Sequence, residues 1–389
     1  MINKKNMALC VDKHENVHII WENVENSISI LQHVQRIDNV WMHMGTLYRS
    51  NNKIVFGKNG FITNPVPTII FVENGTELHV LSKPSEENDW DHKTFVLDQT
   101  AEWVGILEYR SNIDLPICSS SSSSSIYSSS TSSLSSDIDS FNSDICVFVL
   151  YENKRLEYYI LSDDKDELIS KESHTRINIS SGEIKNITMS LCGQHVGIAY
   201  DRDDKIYYNM MSFSTLKWTF VNFSVFMNSA PEVAPLGYIM DFDICGYDAH
   251  SLGYMPIAWL TQDAGGNMVL RGSVINTLRR EWPLDLANHA IVAVPKRDMV
   301  HKQVSCVSLL HNNMVPQIIV FGASITKLRL IKGGRWDSEP IEIKGWIGHV
   351  KNRKTTSCLK NNILHVVFRD DSGLYYFSEQ EAQLHKLSN

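Results

Sequence analysis

The hydrophobic residues of this chain recur as pairs of short runs, and a brief polar turn separates the two runs of each pair. The first run has four to six residues and ends in an aromatic or large apolar residue, as in Val17–Trp21. The second run alternates apolar and polar residues, as in Ile28–Ile30. Runs rich in Val, Ile, Tyr and Phe on either side of a polar turn are typical of β-hairpins. The pattern therefore predicts a β-hairpin wherever such a pair occurs.

The hairpin pattern is repeated seven times. The second runs begin at residues 28, 78, 156, 206, 268, 328 and 374, at steps of 50, 78, 50, 62, 60 and 46 residues. The step of 78 contains a serine-rich insertion, and without it the step is about 50 as well. A repeat of roughly 50 residues is the length of a propeller blade of four short strands. We therefore predict an all-β fold: a single seven-bladed β-propeller domain over residues 1–389, built of four-stranded antiparallel blades.

Cysteine and tryptophan keep fixed positions relative to these hairpins. Five cysteines precede a hairpin and are expected on innermost strands, where a small apolar side chain fits between crowded blades. We expect these thiols to be unpaired. Four tryptophans follow a hairpin and are expected to open the outer strand of a blade. The two sets are Cys10, Cys192, Cys245, Cys306 and Cys358, and Trp90, Trp218, Trp282 and Trp336.

With this repeat and these tryptophans, the chain resembles seven-bladed propellers of the lectin-like and sialidase-like kind. The resemblance covers nearly the whole chain in architecture but not in motif. The segment Ser212–Trp218 is the nearest match to the Asp box of sialidase-like blades, and it lacks the Asp and the Gly. The lectin resemblance implies a sugar stacked on an aromatic ring between blades and held by an Arg/Glu pair. The four tryptophans are the candidate rings, or they are core residues wedged between blades; arginine does not recur at a fixed register.

A serine-rich segment interrupts the third repeat. It runs from Ser119 to Ser136 and cannot bury enough apolar surface to fold. We predict a disordered loop insertion at about residues 112–143, within blade 3. It is either a tolerated surface insertion or a segment for phosphorylation or partner binding.

Net charge is −8, with an isoelectric point near 6.0, which argues against nucleic-acid binding. The predicted hairpin turns hold eleven acidic and six basic residues, a net −5 on loops expected to share one face. This favours a basic protein partner, although polar turns alone would explain part of the excess. The acidic residues are Glu22, Glu25, Glu73, Glu77, Glu152, Asp201, Asp203, Asp204, Asp263, Asp370 and Asp371. We take Glu73, Asp203, Asp204 and Asp371 as the candidate binding residues.

Catalytic, metal and membrane signals are weak. Gly-x-Ser-x-Gly and glycine-rich phosphate loops are missing from the sequence, so we expect no catalytic residues and no cofactor. His14 and His18 would lie about 13 Å apart on a strand, too far to share an ion, and no metal site is expected. Seven cysteines without a Cys-x-x-Cys pair, and no signal peptide or long apolar run, favour a cytoplasmic or nuclear protein away from membranes.

These observations favour a monomeric, non-catalytic intracellular scaffold that binds proteins through the faces of a propeller. A glycan-binding, fucose-lectin-like propeller is the alternative. A sialidase-like glycosidase is a third and weaker hypothesis. Arginines and carboxylates are plentiful, but no motif places them together.

Overall fold

The structure of the protein is a computed structural model. It describes residues 6–63, 66–83, 89–110, 143–162, 167–169, 176–179, 182–192, 195–203, 205–213, 215, 217–224, 238–244, 254–262, 268–276, 306–312, 315–321, 325–331, 335–344, 354–361, 363–370 and 372–388. These residues contain strands and no helix, and accordingly none that is long and apolar enough to cross a membrane.

The described residues form seven small antiparallel sheets, which we number in chain order. The first sheet consists of β1 (Met7–Val11), β2 (Val17–Glu25), β3 (Ile28–Ile37) and β4 (Val40–Ser50). The second consists of β5 (Ile54–Val55), β6 (Phe61–Ile62), β7 (Thr68–Glu73), β8 (Glu77–Ser82) and β9 (Asp91–Val96). The third consists of β10 (Ala101–Arg110), β11 (Ser143–Tyr151), β12 (Arg155–Leu161), β13 (Leu168–Ile169) and β14 (Arg176–Asn178).

The remaining four sheets follow in the same way. The fourth consists of β15 (Ile184–Cys192), β16 (His195–Arg202), β17 (Lys205–Ser212) and β18 (Lys217–Ser224). The fifth consists of β19 (Tyr238–Ile244), β20 (Tyr254–Gln262) and β21 (Met268–Asn276). The sixth consists of β22 (Cys306–Asn312), β23 (Val315–Phe321), β24 (Ile325–Ile331) and β25 (Arg335–Ile341). The seventh consists of β26 (Lys354–Lys360), β27 (Ile363–Asp370), β28 (Gly373–Ser378) and β29 (His385–Ser388).

The seven predicted hairpins are confirmed. Each is an antiparallel pair of neighbouring strands: β2–β3, β7–β8, β11–β12, β16–β17, β20–β21, β23–β24 and β27–β28. The turn chemistry explains why the first sheet turns where it does. Asn26 and Ser27 join β2 to β3, Asp38 and Asn39 join β3 to β4, and all four have positive φ. Two-residue hairpin loops need this backbone conformation, which Asn and Asp adopt more readily than most residues.

The continuous apolar runs arise because both faces of a strand are buried. Ile19 of β2 packs with Val367 and Tyr376 of the seventh sheet. Its neighbour Ile20 points the opposite way and packs with Phe71 of the second sheet. A strand covered on both sides shows an unbroken hydrophobic run rather than strict alternation.

Neighbouring sheets share hydrophobic clusters along the chain. The second packs on the third, the third on the fourth, the fourth on the fifth, and the sixth on the seventh. Strand β19 contacts β22, which links the fifth sheet to the sixth, and the first sheet packs on the last. The fold is therefore an all-β propeller of small antiparallel sheets.

Uniform four-stranded blades were expected, and the sheets differ from that expectation. Four sheets have four strands, the second and third have five, and the fifth has three within the described residues. In the second sheet a turn in which the Gly60 amide donates to the Gly57 carbonyl interrupts the inner strand, so β5 and β6 both pair with β7. In the third sheet β13 and β14 both pair with β12.

The cysteines lie in the predicted strands where these are described, and two of the tryptophans do as well. Cys10, Cys192, Cys306 and Cys358 lie in the first strands of their sheets, and Cys10 and Cys358 are free thiols. Trp90 directly precedes the last strand of the second sheet, and Trp218 and Trp336 lie in the last strands of theirs. Cys245, Trp282 and the serine-rich segment lie outside the described residues. The strands that flank the serine-rich segment, β10 and β11, pair with each other.

Candidate functional site: a polar cleft between the first and last sheets

A polar cleft lies where the first sheet meets the seventh. It encloses about 750 Å³ of space, including the part open to solvent. Its lining comes from the turns at one end of both sheets and includes Arg36, Asp38, Asn39, Lys360, His365 and Glu381. The cleft therefore joins residues near the two ends of the chain.

Local hydrogen bonds shape the rim of the cleft. Asp12 directly follows the first strand, and its Oδ1 accepts hydrogen bonds from the backbone amides of His14 and Asn16, both at 2.8 Å. Aspartate favours such turns because its short side chain reaches the backbone two residues on. On the opposite rim, Asn361 Nδ2 donates to Glu15 Oε1 at 2.5 Å, which connects the seventh sheet to the first.

Arg36 and Glu381 form an ion pair across the two sheets. Arg36 is only 8% exposed, and its Nε has no hydrogen-bond partner within the described residues. The Glu381 side chain is 25% exposed, and it also receives a contact of 2.7 Å from His385 Nε2. One carboxylate is thus held by two cationic or donor groups while a quarter of it stays open to the cleft.

Aromatic rings pack around this ion pair. Trp41 lies opposite Arg36 in the β3–β4 register, and Tyr376 lies opposite His385 in the β28–β29 register. The two rings meet edge to face, with centroids 4.9 Å apart. The Arg36 guanidinium carbon lies 5.4 Å from the Trp41 centroid and 5.8 Å from that of Tyr376, within the range of cation–π attraction.

A neutral histidine completes the inner wall. His365 Nδ1 lies 2.7 Å from the Tyr376 hydroxyl. Burial, reinforced by the nearby charge of Arg36, lowers the pKa of His365 to about 4. Burial also raises the pKa of Tyr376 to about 12. At neutral pH both groups are uncharged, and each offers hydrogen-bonding capacity without a net charge.

Neither predicted tryptophan whose side chain is described lies in this cleft. Trp90 packs with the core shared by the first two sheets and meets the His33 ring edge to face at 5.6 Å. Trp218 packs against the cluster of the third and fourth sheets. The side chain of Trp336 and the whole of Trp282 lie outside the described residues. The tryptophan that packs on Arg36 is Trp41, which lies beside the cleft and not in its lining; its sequence signal is its place two residues after the Asp38–Asn39 turn.

The predicted acidic face needs a correction. Glu73 is 6% exposed and accepts hydrogen bonds from the Tyr48 and Ser50 hydroxyls and, at 3.0 Å, from Asn52 Nδ2. Burial raises the pKa of Glu73, but these hydrogen bonds outweigh it and hold the pKa below its usual value. Three more of the turn carboxylates are buried as well: Glu22, Asp201 and Asp370.

Asp201 is buried because it satisfies backbone donors. Asp201 Oδ1 accepts from the amides of Lys185 at 2.9 Å and Asn186 at 2.6 Å. Asp203 is exposed, with 72% of its side chain open to solvent. Asp204 and Asp371 lie outside the described residues. A count of acidic turn residues therefore overstates the exposed negative charge.

No protein-family model and no curated protein matches the chain. Among solved structures, a fucose-specific lectin from Aleuria aurantia is 12% identical with a TM-score of 0.43, covering 86% of this chain and 93% of its own. The Dos1 propeller is 8% identical with a TM-score of 0.47, and the match covers 92% of this chain and 74% of that one. The polysaccharide lyase Uly1 is 12% identical with a TM-score of 0.48, and the match covers 99% of this chain and 90% of that one.

Proposed function

We propose that the chain is a non-catalytic binding propeller and that the cleft between the first and last sheets binds a carbohydrate. The observation that carries this proposal is the Arg36–Glu381 ion pair set against the Trp41 and Tyr376 rings. Both members of the pair line the cleft, and the two rings pack on Arg36 beside it and fix its position. Ligand pockets typically hold a few fixed polar groups that orient the ligand.

Sugar chemistry suits this combination. Neighbouring hydroxyls of a pyranose both donate and accept hydrogen bonds, so a carboxylate and basic groups such as Lys360 can bind them together. Hydrogen bonds to charged groups are the stronger ones. The C–H faces of a sugar are apolar and can pack on an aromatic ring, and Trp41 is half-buried against Arg36, beside the cleft rather than in its lining.

We also propose that the seven sheets are the seven blades of one closed ring. This is supported by the chain of shared clusters and by the packing of β1 against β26. Closure between the first and last blades removes two open faces that would otherwise expose apolar residues. The cleft is then an interblade site at the point of closure.

A glycan array with the purified chain tests the carbohydrate proposal. We expect saturable binding to one class of sugar, with competition by the free sugar. An array that stays silent at micromolar protein concentrations would overturn it.

A protein-binding scaffold in the cytoplasm or nucleus is the second candidate. It is favoured by the exposed turn carboxylates Glu25, Glu152 and Asp203, which leave a smaller acidic surface than the sequence implied. A monomeric propeller would present this surface to a basic partner. Reversing the three charges to Lys should abolish salt-sensitive binding to a basic peptide such as polylysine. Unchanged binding would overturn the acidic-surface proposal.

A further inference from the structure

A second polar cluster lies at the opposite end of the first two sheets. Glu73 ends β7 and Glu77 begins β8, and the two are direct partners in the antiparallel register. His79 follows Glu77 by two residues, so its side chain lies on the same face of β8. One ligand atom each from Glu73, Glu77 and His79 lies within 4.8 Å of the other two. We call these three residues the Glu73 cluster.

The turn between the two glutamates forces them together. Asn74 and Gly75 have φ values of 50° and 79°, which closes a three-residue connection. A Cβ on Gly75 would lie 2.6 Å from Thr100 Cγ2, so only glycine fits there. Like charges directly opposite each other on a sheet repel, and a buried carboxylate loses its hydration. A cation between Glu73 and Glu77 would relieve this repulsion.

The groups that bond to Glu73 carry no charge. They are the hydroxyls of Tyr48 and Ser50 and the amide of Asn52. These three groups orient the carboxylate without neutralising it. Such an arrangement is typical of the outer partners that hold a metal-binding carboxylate in place.

His79 provides the independent observation. It is 4% exposed, and its Nδ1 lies 2.8 Å from His92 Nε2. Its Nε2 lies 3.3 Å from Glu73 Oε2 but has no hydrogen-bond partner within the described residues. A buried ring nitrogen therefore faces a buried carboxylate oxygen with no hydrogen bond between them. A metal ion would satisfy both atoms.

The spacing of His79 and Glu73 fits zinc. Ligand atoms about 2.1 Å from a tetrahedral zinc ion lie roughly 3.4 Å from each other. The separation of His79 Nε2 and Glu73 Oε2 is 3.3 Å. An imidazole ligand suits Zn²⁺, whereas Ca²⁺ and Mg²⁺ favour oxygen ligands alone. A metal-binding histidine usually donates its other ring N–H to an acceptor, and His92 Nε2 lies in that position, 2.8 Å from His79 Nδ1.

We propose that Glu73, Glu77 and His79 bind one Zn²⁺ ion, with His92 orienting His79. Tyr48 and Ser50 belong to the first sheet and the three ligands to the second. The ion would therefore strengthen the junction between the two sheets. This proposal is independent of carbohydrate binding in the cleft.

The test uses the full-length chain without a histidine tag. After dialysis against Zn²⁺ and then against metal-free buffer, elemental analysis should find one zinc per chain. Co²⁺ in place of Zn²⁺ should give the visible absorption of a low-symmetry site with nitrogen and oxygen ligands. Both signals should be lost in His79→Gln and in Glu77→Gln, and His92→Gln should weaken binding about tenfold or more.

His365→Gln is the matched control, since it also removes a buried strand histidine but lies in the seventh sheet. It should keep its zinc. Glu77 is only partly buried, so Glu77→Gln remains informative even if His79→Gln fails to fold. A wild-type chain that retains no zinc overturns the proposal. So does a folded Glu77→Gln chain that binds zinc and Co²⁺ as the wild type does.

Discussion

Arg36 of the first sheet and Glu381 of the last form an ion pair that joins the two ends of the chain. Two rings in mutual contact, Trp41 from the first sheet and Tyr376 from the last, pack together against the Arg36 guanidinium. The shared core of Trp21, Val367 and Tyr376 lies beside it. The ion pair thus has two consequences: it holds the first and last sheets together, and it forms part of the wall of the cleft.

The first prediction concerns the energy of this ion pair. Arg36→Gln should lower the free energy of unfolding by about 2 kcal/mol, because a mostly buried, charged hydrogen bond is lost. In a double-mutant cycle with Glu381→Gln, the coupling energy should be about 1 kcal/mol or more. Chemical denaturation of the four proteins measures it. Additivity within about 0.5 kcal/mol would show that the pair contributes no coupling.

The second prediction concerns acid. Burial lowers the pKa of His33 to about 3 and that of His365 to about 4. In the unfolded chain both have pKa values near 6.5. Between pH ~6.5 and ~4 the unfolded chain therefore binds protons that the folded chain does not. The contribution of these histidines to the free energy of unfolding should be complete above pH ~6.5. Below that, the free energy of unfolding should fall with decreasing pH, by up to about 1.4 kcal/mol per pH unit for each histidine.

Urea unfolding at pH 7.5, 6.0 and 5.0 measures this slope. His365→Gln should make the slope shallower, since one of the titrating groups is gone. If the free energy of unfolding of the variant falls as steeply with decreasing pH as that of the wild type, His365 is not buried in its neutral form.

The third prediction concerns the thiols. Burial raises the pKa of Cys10 to about 12 and raises that of Cys358 as well. Only the thiolate reacts, so maleimide should modify both more than about a hundredfold more slowly in the native protein than in urea. Peptide mass spectrometry follows each site. Modification of Cys10 within minutes under native conditions would place it on the surface instead.

The fourth prediction concerns the serine-rich segment. Deleting Ser119 to Ser136 should leave the melting temperature within ~5 °C of the wild type, since loop-closure entropy changes slowly with length. The flanking strands β10 and β11 already pair from Arg110 and Ser143 onward. A larger drop in melting temperature would mean that the segment packs on the propeller.

The hairpins and their order could be predicted from the local pattern of hydrophobic and polar residues. Runs such as Val17–Trp21 are apolar because both of their faces are covered, and this is visible within a few residues. The cleft could not be predicted in this way. Arg36 and Glu381 are far apart in the sequence, and no periodic feature connects them.

Burial of turn carboxylates was the other failure. In sequence Glu73 is indistinguishable from an exposed turn acid such as Glu152. What separates them is the approach of Tyr48 and Ser50 from the neighbouring sheet. The same contacts hold Glu73 in place within the Glu73 cluster.

Calorimetric titration with the sugar selected by the array tests the central claim most directly. The wild type should bind in the cleft, and Glu381→Gln should weaken binding by tenfold or more, about 1.4 kcal/mol. Arg155→Gln is the control, because Arg155 also forms an ion pair, with Asp98, and stacks on Tyr151 at 4.6 Å, but lies in the third sheet. It should bind as the wild type does. Unchanged affinity in a folded Glu381→Gln chain, or no sugar binding by the wild type, would contradict carbohydrate recognition at this cleft.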